Sequence, residues 1–182
     1  YAGGGDDTTD PNIEEVYVRL TDSLSSGDAM TFGRRRTDSY ASAKTPMFIG
    51  HAASYQNQTY ADDAAHNIPR GAWYHVAFVK EGTNVRMYKN GTNVAGNNNN
   101  SATNFPATLS VGEIYIGATH DNQYDMLGYI SNLRISKSAR YTSDFTPSTT
   151  PLSSDSDTVL LTCQRSIPKT ITNGSTNFGG TN

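Results

Sequence analysis

The run Trp73-Tyr74-His75-Val76-Ala77-Phe78-Val79 constrains the fold of this chain more than any other segment. After Lys80-Glu81-Gly82-Thr83-Asn84 it is followed by Val85-Arg86-Met87-Tyr88-Lys89, which closes on Asn90-Gly91. Both runs are rich in β-branched and aromatic residues, which favours strands. Asn-Gly fits the two central positions of a type I′ turn, where both residues need φ > 0 and the turn matches the strand twist. Thr92-Asn93-Val94-Ala95 then reads as the returning arm. The pattern predicts antiparallel β structure and identifies no chemistry.

The rest of the chain repeats that pattern. Ile13–Leu20 predicts a strand with Val16, Val18 and Leu20 on one face, and Ala29–Gly33 and Pro46–Gly50 predict two more. A weak strand is expected near Tyr55–Tyr60, with further strands at Thr108–Val111 and Glu113–Gly117. From Met126 to Ser136, Leu127, Tyr129, Ser131, Leu133 and Ile135 alternate with Gly128, Ile130, Asn132 and Arg134, as in a half-buried strand. No sustained helical period occurs, and the best helical prospect is a short turn at Ser138–Tyr141. Many short strands punctuated by Gly and Asn predict an all-β, antiparallel two-sheet β-sandwich.

Length bounds this to one domain, since 182 residues bury a sizeable core. Residues 1–12 read as a flexible N-terminal segment, 13–165 as the folded domain and 166–182 as a polar tail or connector. The chain begins at Tyr1 instead of Met, so a processed product or part of a longer polypeptide is expected. With a net charge of −3, no broad cationic surface attracts nucleic acid. The basic run Arg34-Arg35-Arg36 has acidic neighbours and no interleaved aromatics, and reads as a solvated turn. No apolar run approaches the roughly 18 residues of a membrane span, so no membrane insertion is expected. The single cysteine, Cys163, follows a strand-like run and reads as a small packed hydrophobe.

Three segments carry a family resemblance: Trp73–Ala77, Met87–Gly91 and Gly128-Tyr129-Ile130-Ser131-Asn132-Leu133-Arg134-Ile135. In that order they resemble motifs of the laminin G-like branch of the concanavalin A-like lectin/glucanase superfamily, which implies a jelly roll. The tail Ala139-Arg140-Tyr141-Thr142-Ser143-Asp144-Phe145-Thr146-Pro147, with Leu160-Leu161-Thr162-Cys163-Gln164, resembles the version found in tailed-phage virion proteins. The resemblance implies a virion structural or adhesion module, a capsid decoration or tail-appendage domain at the particle surface. Its implied partners are other virion or fibre subunits, a second copy of itself, and a cell-surface glycan. A secreted or cell-surface lectin or adhesin is the alternative, with a glucanase-type glycoside hydrolase as the more remote one. Relatives commonly carry an acidic residue where Ser131-Asn132 stands here, which weakens an inherited calcium site. Residues 1–12 also lack the Phe-Asp-Gly strand of many relatives, so intersubunit strand addition at an open edge is a further expectation.

Catalysis is not expected. Glycoside hydrolysis needs two carboxylates facing one cleft, and the glucanase relatives place them by a Glu-x-Asp-x-x-Glu pattern. Here Asp6-Asp7, Glu14-Glu15 and Asp62-Asp63 are adjacent, point to opposite faces if extended, and read as surface acids. His75 reads as structural, and Asp62 with His66 as a solvated loop. The oxygen-rich stretch Thr119–Asp125 suits Ca²⁺ but lacks EF-hand spacing, so no cofactor or metal is expected, with Ca²⁺ there as the alternative. Sugars stack on aromatic rings while amides and carboxylates bond their hydroxyls. Tyr55, Asn57, Tyr60, Asp121, Asn122 and Tyr124 are therefore the carbohydrate-binding candidates. Against them stands the habit of tyrosines in β proteins to pack at sheet faces.

Overall fold

The computed structural model describes residues 14–21, 29–35, 47–51, 57–60, 68, 71–82, 84–94, 111–118 and 125–164. All but the last residue of the strand expected at Thr108–Val111, the Thr119–Tyr124 loop, Tyr55 and both terminal segments lie outside the described residues. Within them are β1 (Glu14–Thr21), β2 (Ala29–Arg35), β3 (Met47–His51), β4 (Asn57–Tyr60), β5 (Val76–Glu81), β6 (Asn84–Lys89), β7 (Thr92–Asn93), β8 (Glu113–Ile116), β9 (Leu133–Ser136) and β10 (Thr158–Thr162). No helix occurs among the described residues.

Every pairing is antiparallel. One sheet runs β4-β3-β2-β1-β8, a second β5-β6-β7, and β9 pairs with β10. The first two face each other as a sandwich. Met30 of the five-stranded sheet packs with Met87 and Val94 of the hairpin sheet and with Ile68. Phe32 meets Phe78 across the same gap with ring centroids 5.1 Å apart. Burying such side chains stabilises by about 1.5–3 kcal/mol each, which holds the sheets together without a disulfide.

The Asn-Gly turn forms as its sequence predicts, with φ of 51° at Asn90 and 85° at Gly91. β5 starts at Val76 instead of Trp73, because Asn90 closes the hairpin onto His75. The His75 N–H donates to Asn90 Oδ1 at 3.0 Å, and the Asn90 N–H donates to the His75 carbonyl at 2.8 Å. Trp73 is left beyond the ladder.

Four expectations are corrected. The strand predicted over Met126–Ser136 is paired only from Leu133, where β10 ends opposite it. Asn132 turns into the left-handed region at φ 51° and donates its N–H to the Cys163 carbonyl at 2.9 Å. The chain at 126–132 is irregular as a result. The helical turn at Ser138–Tyr141 is absent, because Arg140 instead bonds Ser136 Oγ at 2.6 Å and pairs with Asp155. Arg34, expected in a solvated turn, lies in β2 and is 4% exposed.

The fourth correction follows from a β-bulge. Val16 pairs with Gly33 and Val18 with Phe32, so Tyr17 is an extra residue on β1. Strict alternation from Val18 would put Glu15 on the opposite face from Phe32. One inserted residue reverses the alternation, and Glu15 joins Arg34 on the core side, 2% exposed. Glu15 is therefore no surface acid.

Candidate functional site

The sequence-chosen sugar candidates do not form one described site. Asn57 and Tyr60 are placed by their backbone at opposite ends of β4, an edge of the five-stranded sheet. Tyr55, Asp121, Asn122 and Tyr124 lie outside the described residues.

The buried acid–base pair is closed to chemistry. Arg34 Nε donates to Glu15 Oε2 at 3.0 Å and Nη2 to Oε1 at 2.6 Å. Arg34 Nη1 donates to the Ile68 carbonyl at 2.7 Å, tying that core residue to the sheet. Both carboxylate oxygens are engaged in a two-point fork, the geometry guanidinium favours. Beside this pair, burial pushes the Tyr17 hydroxyl well above its usual 10.0, and the nearby Arg34 charge only partly offsets that. Elsewhere, Tyr115 donates to Glu113 Oε2 at 2.8 Å. No group of three His, Cys, Asp or Glu side chains suited to a metal occurs among the described residues.

Three of the resemblance segments, Trp73–Ala77, Met87–Gly91 and the Ala139–Pro147 tail, meet in an aromatic cluster. Tyr141 stacks on Phe145 at 3.6 Å and 7°. Phe145 meets Tyr88 and His75 edge-on at 5.3 and 5.4 Å. The Tyr88 hydroxyl donates to the Tyr141 carbonyl at 3.2 Å, the Phe145 N–H to the Gly91 carbonyl at 2.9 Å, and the Asn93 N–H to Asp144 Oδ1 at 2.8 Å. The Ala139–Pro147 tail is thus a clasp on the Asn-Gly turn. The following segment is fixed by charge: Arg140 and the Thr158 hydroxyl hold the Asp155 carboxyl far below its usual range.

A different aromatic pair faces solvent. Trp73 is 64% and Tyr129 76% exposed, with ring centroids 6.5 Å apart and planes tilted by 37°. Trp73 precedes the locked His75–Asn90 closure. Tyr129 sits in the irregular approach to β9, followed by exposed Ser131 and Asn132.

Residues 9–144 match the family model described as the concanavalin A-like lectin/glucanases superfamily. The chain belongs to this superfamily. No curated protein and no solved structure matches it. In this concanavalin A-like chain, β10 lies beyond the matched region yet pairs with β9 inside it. Sequence reasoning missed the Trp73–Tyr129 pair because both residues sat in predicted strands, where aromatics pack inward. The available signal was Gly71-Ala72 before Trp73 and Gly128 before Tyr129, small residues that leave a neighbouring ring uncovered.

His75 gives the superfamily scaffold a pH dependence. Its Nδ1 is buried without a partner, and burial lowers its pKa from the usual 6.5. Protonation therefore favours the unfolded chain. This contribution to stability is complete above pH 6.5 and is lost as pH falls from there through the folded value. The melting temperature is expected to drop between about pH 7 and pH 5. In His75→Phe, which keeps the ring contacts, that drop is expected to shrink. Asp155 adds its own loss only below its usual 3.8.

Proposed function

We propose that this chain is a non-enzymatic structural and adhesion module of a virion, a capsid-decoration or tail-appendage domain that works by contact. Its partners on this reading are neighbouring subunits, further copies of itself, and a glycan on the host surface. The observation that carries the reading is the use made of six carboxylates among the described residues. Glu15 is spent on Arg34, Glu81 on Arg86, Glu113 on Tyr115, Asp144 on the Asn93 N–H, Asp155 on Arg140 and Asp157 on Ser138. A hydrolase of the glucanase kind needs two carboxylates free to exchange protons across one cleft; these are committed to holding loops and strands. The likeness of the Ala139–Pro147 and Leu160–Gln164 segments to tailed-phage virion proteins supports the proposed location.

Immunogold labelling tests this directly. Antibody raised against the domain is expected to decorate intact particles of the virus that encodes it. Unlabelled particles, with the chain recovered only as a free secreted protein, would overturn the virion assignment in favour of a secreted lectin.

A further inference from the structure

We infer that Trp73 and Tyr129 form a stacking platform for the apolar face of an uncharged pyranose sugar, a glycan contact made by residues other than the sequence-chosen Tyr55, Tyr60 and Tyr124. The inference rests on the adhesion reading above and names the residues through which it operates. Trp73 and Tyr129 are the most exposed large hydrophobic side chains among the described residues, although each ring could bury roughly 150–250 Å². At 64% and 76% exposure the pair offers roughly 300 Å². The two rings by themselves fall well short of the roughly 800 Å² per partner of a stable protein interface. They suit one or two sugar rings.

Chemistry narrows the occupant further. The segments bearing the rings, residues 71–73 and 128–132, contain no charged side chain. Within those segments a phosphate, sulfate or sialate group meets no counter-charge, the next positive charges along the chain being Arg70 and Arg134. A sugar C–H face meets the negative face of an aromatic ring favourably, and its edge needs hydroxyl or amide partners. Ser131 and Asn132, two and three residues after Tyr129 and both exposed, supply them. Their present bonds are long: Ser131 Oγ to the Cys163 carbonyl at 3.4 Å and Asn132 Nδ2 to Ser131 Oγ at 3.4 Å. Contacts at the outer limit of hydrogen bonding are readily exchanged for sugar hydroxyls.

The platform is also preorganised. His75 is locked to Asn90 two residues after Trp73, and Asn132 is tied to the Cys163 carbonyl three residues after Tyr129. Little ordering remains to be done on binding, which favours affinity. An open two-ring site is nonetheless weak, with a Kd on the order of 1 mM for a single domain. Display in many copies on one particle raises the effective affinity by roughly 10²–10⁴-fold, so a weak site suffices for adhesion.

Titration calorimetry with cellohexaose, laminarihexaose, mannohexaose and chitohexaose tests the platform. The unaltered chain is expected to bind at least one of these neutral oligosaccharides. Trp73→Ala and Tyr129→Ala are each expected to weaken that binding at least tenfold, and the double variant to abolish it. Trp73→Phe retains a ring and is expected to retain most of it. Both side chains are exposed, and an unchanged melting temperature in each variant shows that the fold survives. Binding that persists in the double variant overturns the platform and leaves glycan adhesion intact, sending the search to Tyr55, Tyr60 and Tyr124. Absence of binding to any of the four sugars by the unaltered chain overturns both the platform and the glycan part of the adhesion reading. The virion assignment stands or falls separately, by particle labelling.

Discussion

Arg34→Ala is expected to destabilise the domain by about 3–5 kcal/mol, because it strands the Glu15 carboxylate inside the sandwich without a counter-charge. Glu15 is 2% exposed, and both its carboxylate oxygens are bonded to Arg34. A domain of this size shifts its melting temperature by about 2–4 °C per kcal/mol, so a fall of about 6–20 °C follows. Against a total stability of about 5–15 kcal/mol, that is enough to leave a marginal protein partly unfolded. The ion pair itself is worth much less than this loss, since desolvating both charges offsets most of their attraction. The double variant Arg34→Met with Glu15→Leu is therefore expected to recover most of the stability. What it does not recover is the bond from Arg34 to the Ile68 carbonyl, which leaves a deficit of about 1 kcal/mol. Thermal unfolding of the two single variants and the double variant forms a cycle. A single variant no worse than the double would contradict the buried-charge account.

Gly91→Ala should be nearly as damaging, for a different reason. Gly91 has φ of 85°, and a Cβ there would overlap the Phe145 carbonyl oxygen and carbon and crowd the Pro147 ring. Two of those three atoms are backbone, so the clasp must move as a unit. Moving it breaks the Phe145 N–H bond to the Gly91 carbonyl and disturbs the stacking of Tyr141 on Phe145. The sum of backbone strain, one hydrogen bond and aromatic contacts is at least about 3 kcal/mol. Gly82→Ala is the control. Its φ of 60° is also left-handed, but nothing lies within 4 Å of the new Cβ, so only the conformational cost of about 1 kcal/mol remains. Equal losses in denaturant unfolding would show that φ alone matters and that the clasp contributes nothing.

The hairpin and the all-β class were legible because their signals are local. Asn90-Gly91 carries its own turn geometry, and β-branched alternation carries the strands. Where the reading failed, the deciding physics was non-local. Glu15 reads as a surface acid until the extra residue at Tyr17 reverses the face it presents, and that bulge is visible only in the pairing with β2. Arg34 reads as solvated beside Arg35 and Arg36 until Glu15 arrives opposite it. The alternation from Leu127 to Ile135 is real, but a strand needs a partner, and β10 reaches only as far as Leu133. Trp73 and Tyr129 are 56 positions apart, and only the fold brings their rings together. Of the six sugar candidates chosen in sequence, the structure places only the backbone of Asn57 and Tyr60, both on β4.

The central claim is a scaffold that binds and does not turn over what it binds, and saturation-transfer NMR on one oligosaccharide followed over a day tests both halves at once. With the best-binding hexasaccharide, transfer is expected to reach the ring C–H protons and to vanish in the Trp73→Ala, Tyr129→Ala double variant. The sugar spectrum itself is expected to stay unchanged throughout. New reducing-end anomeric signals growing with time would contradict the non-enzymatic reading, and transfer that survives the double variant would contradict the Trp73–Tyr129 platform.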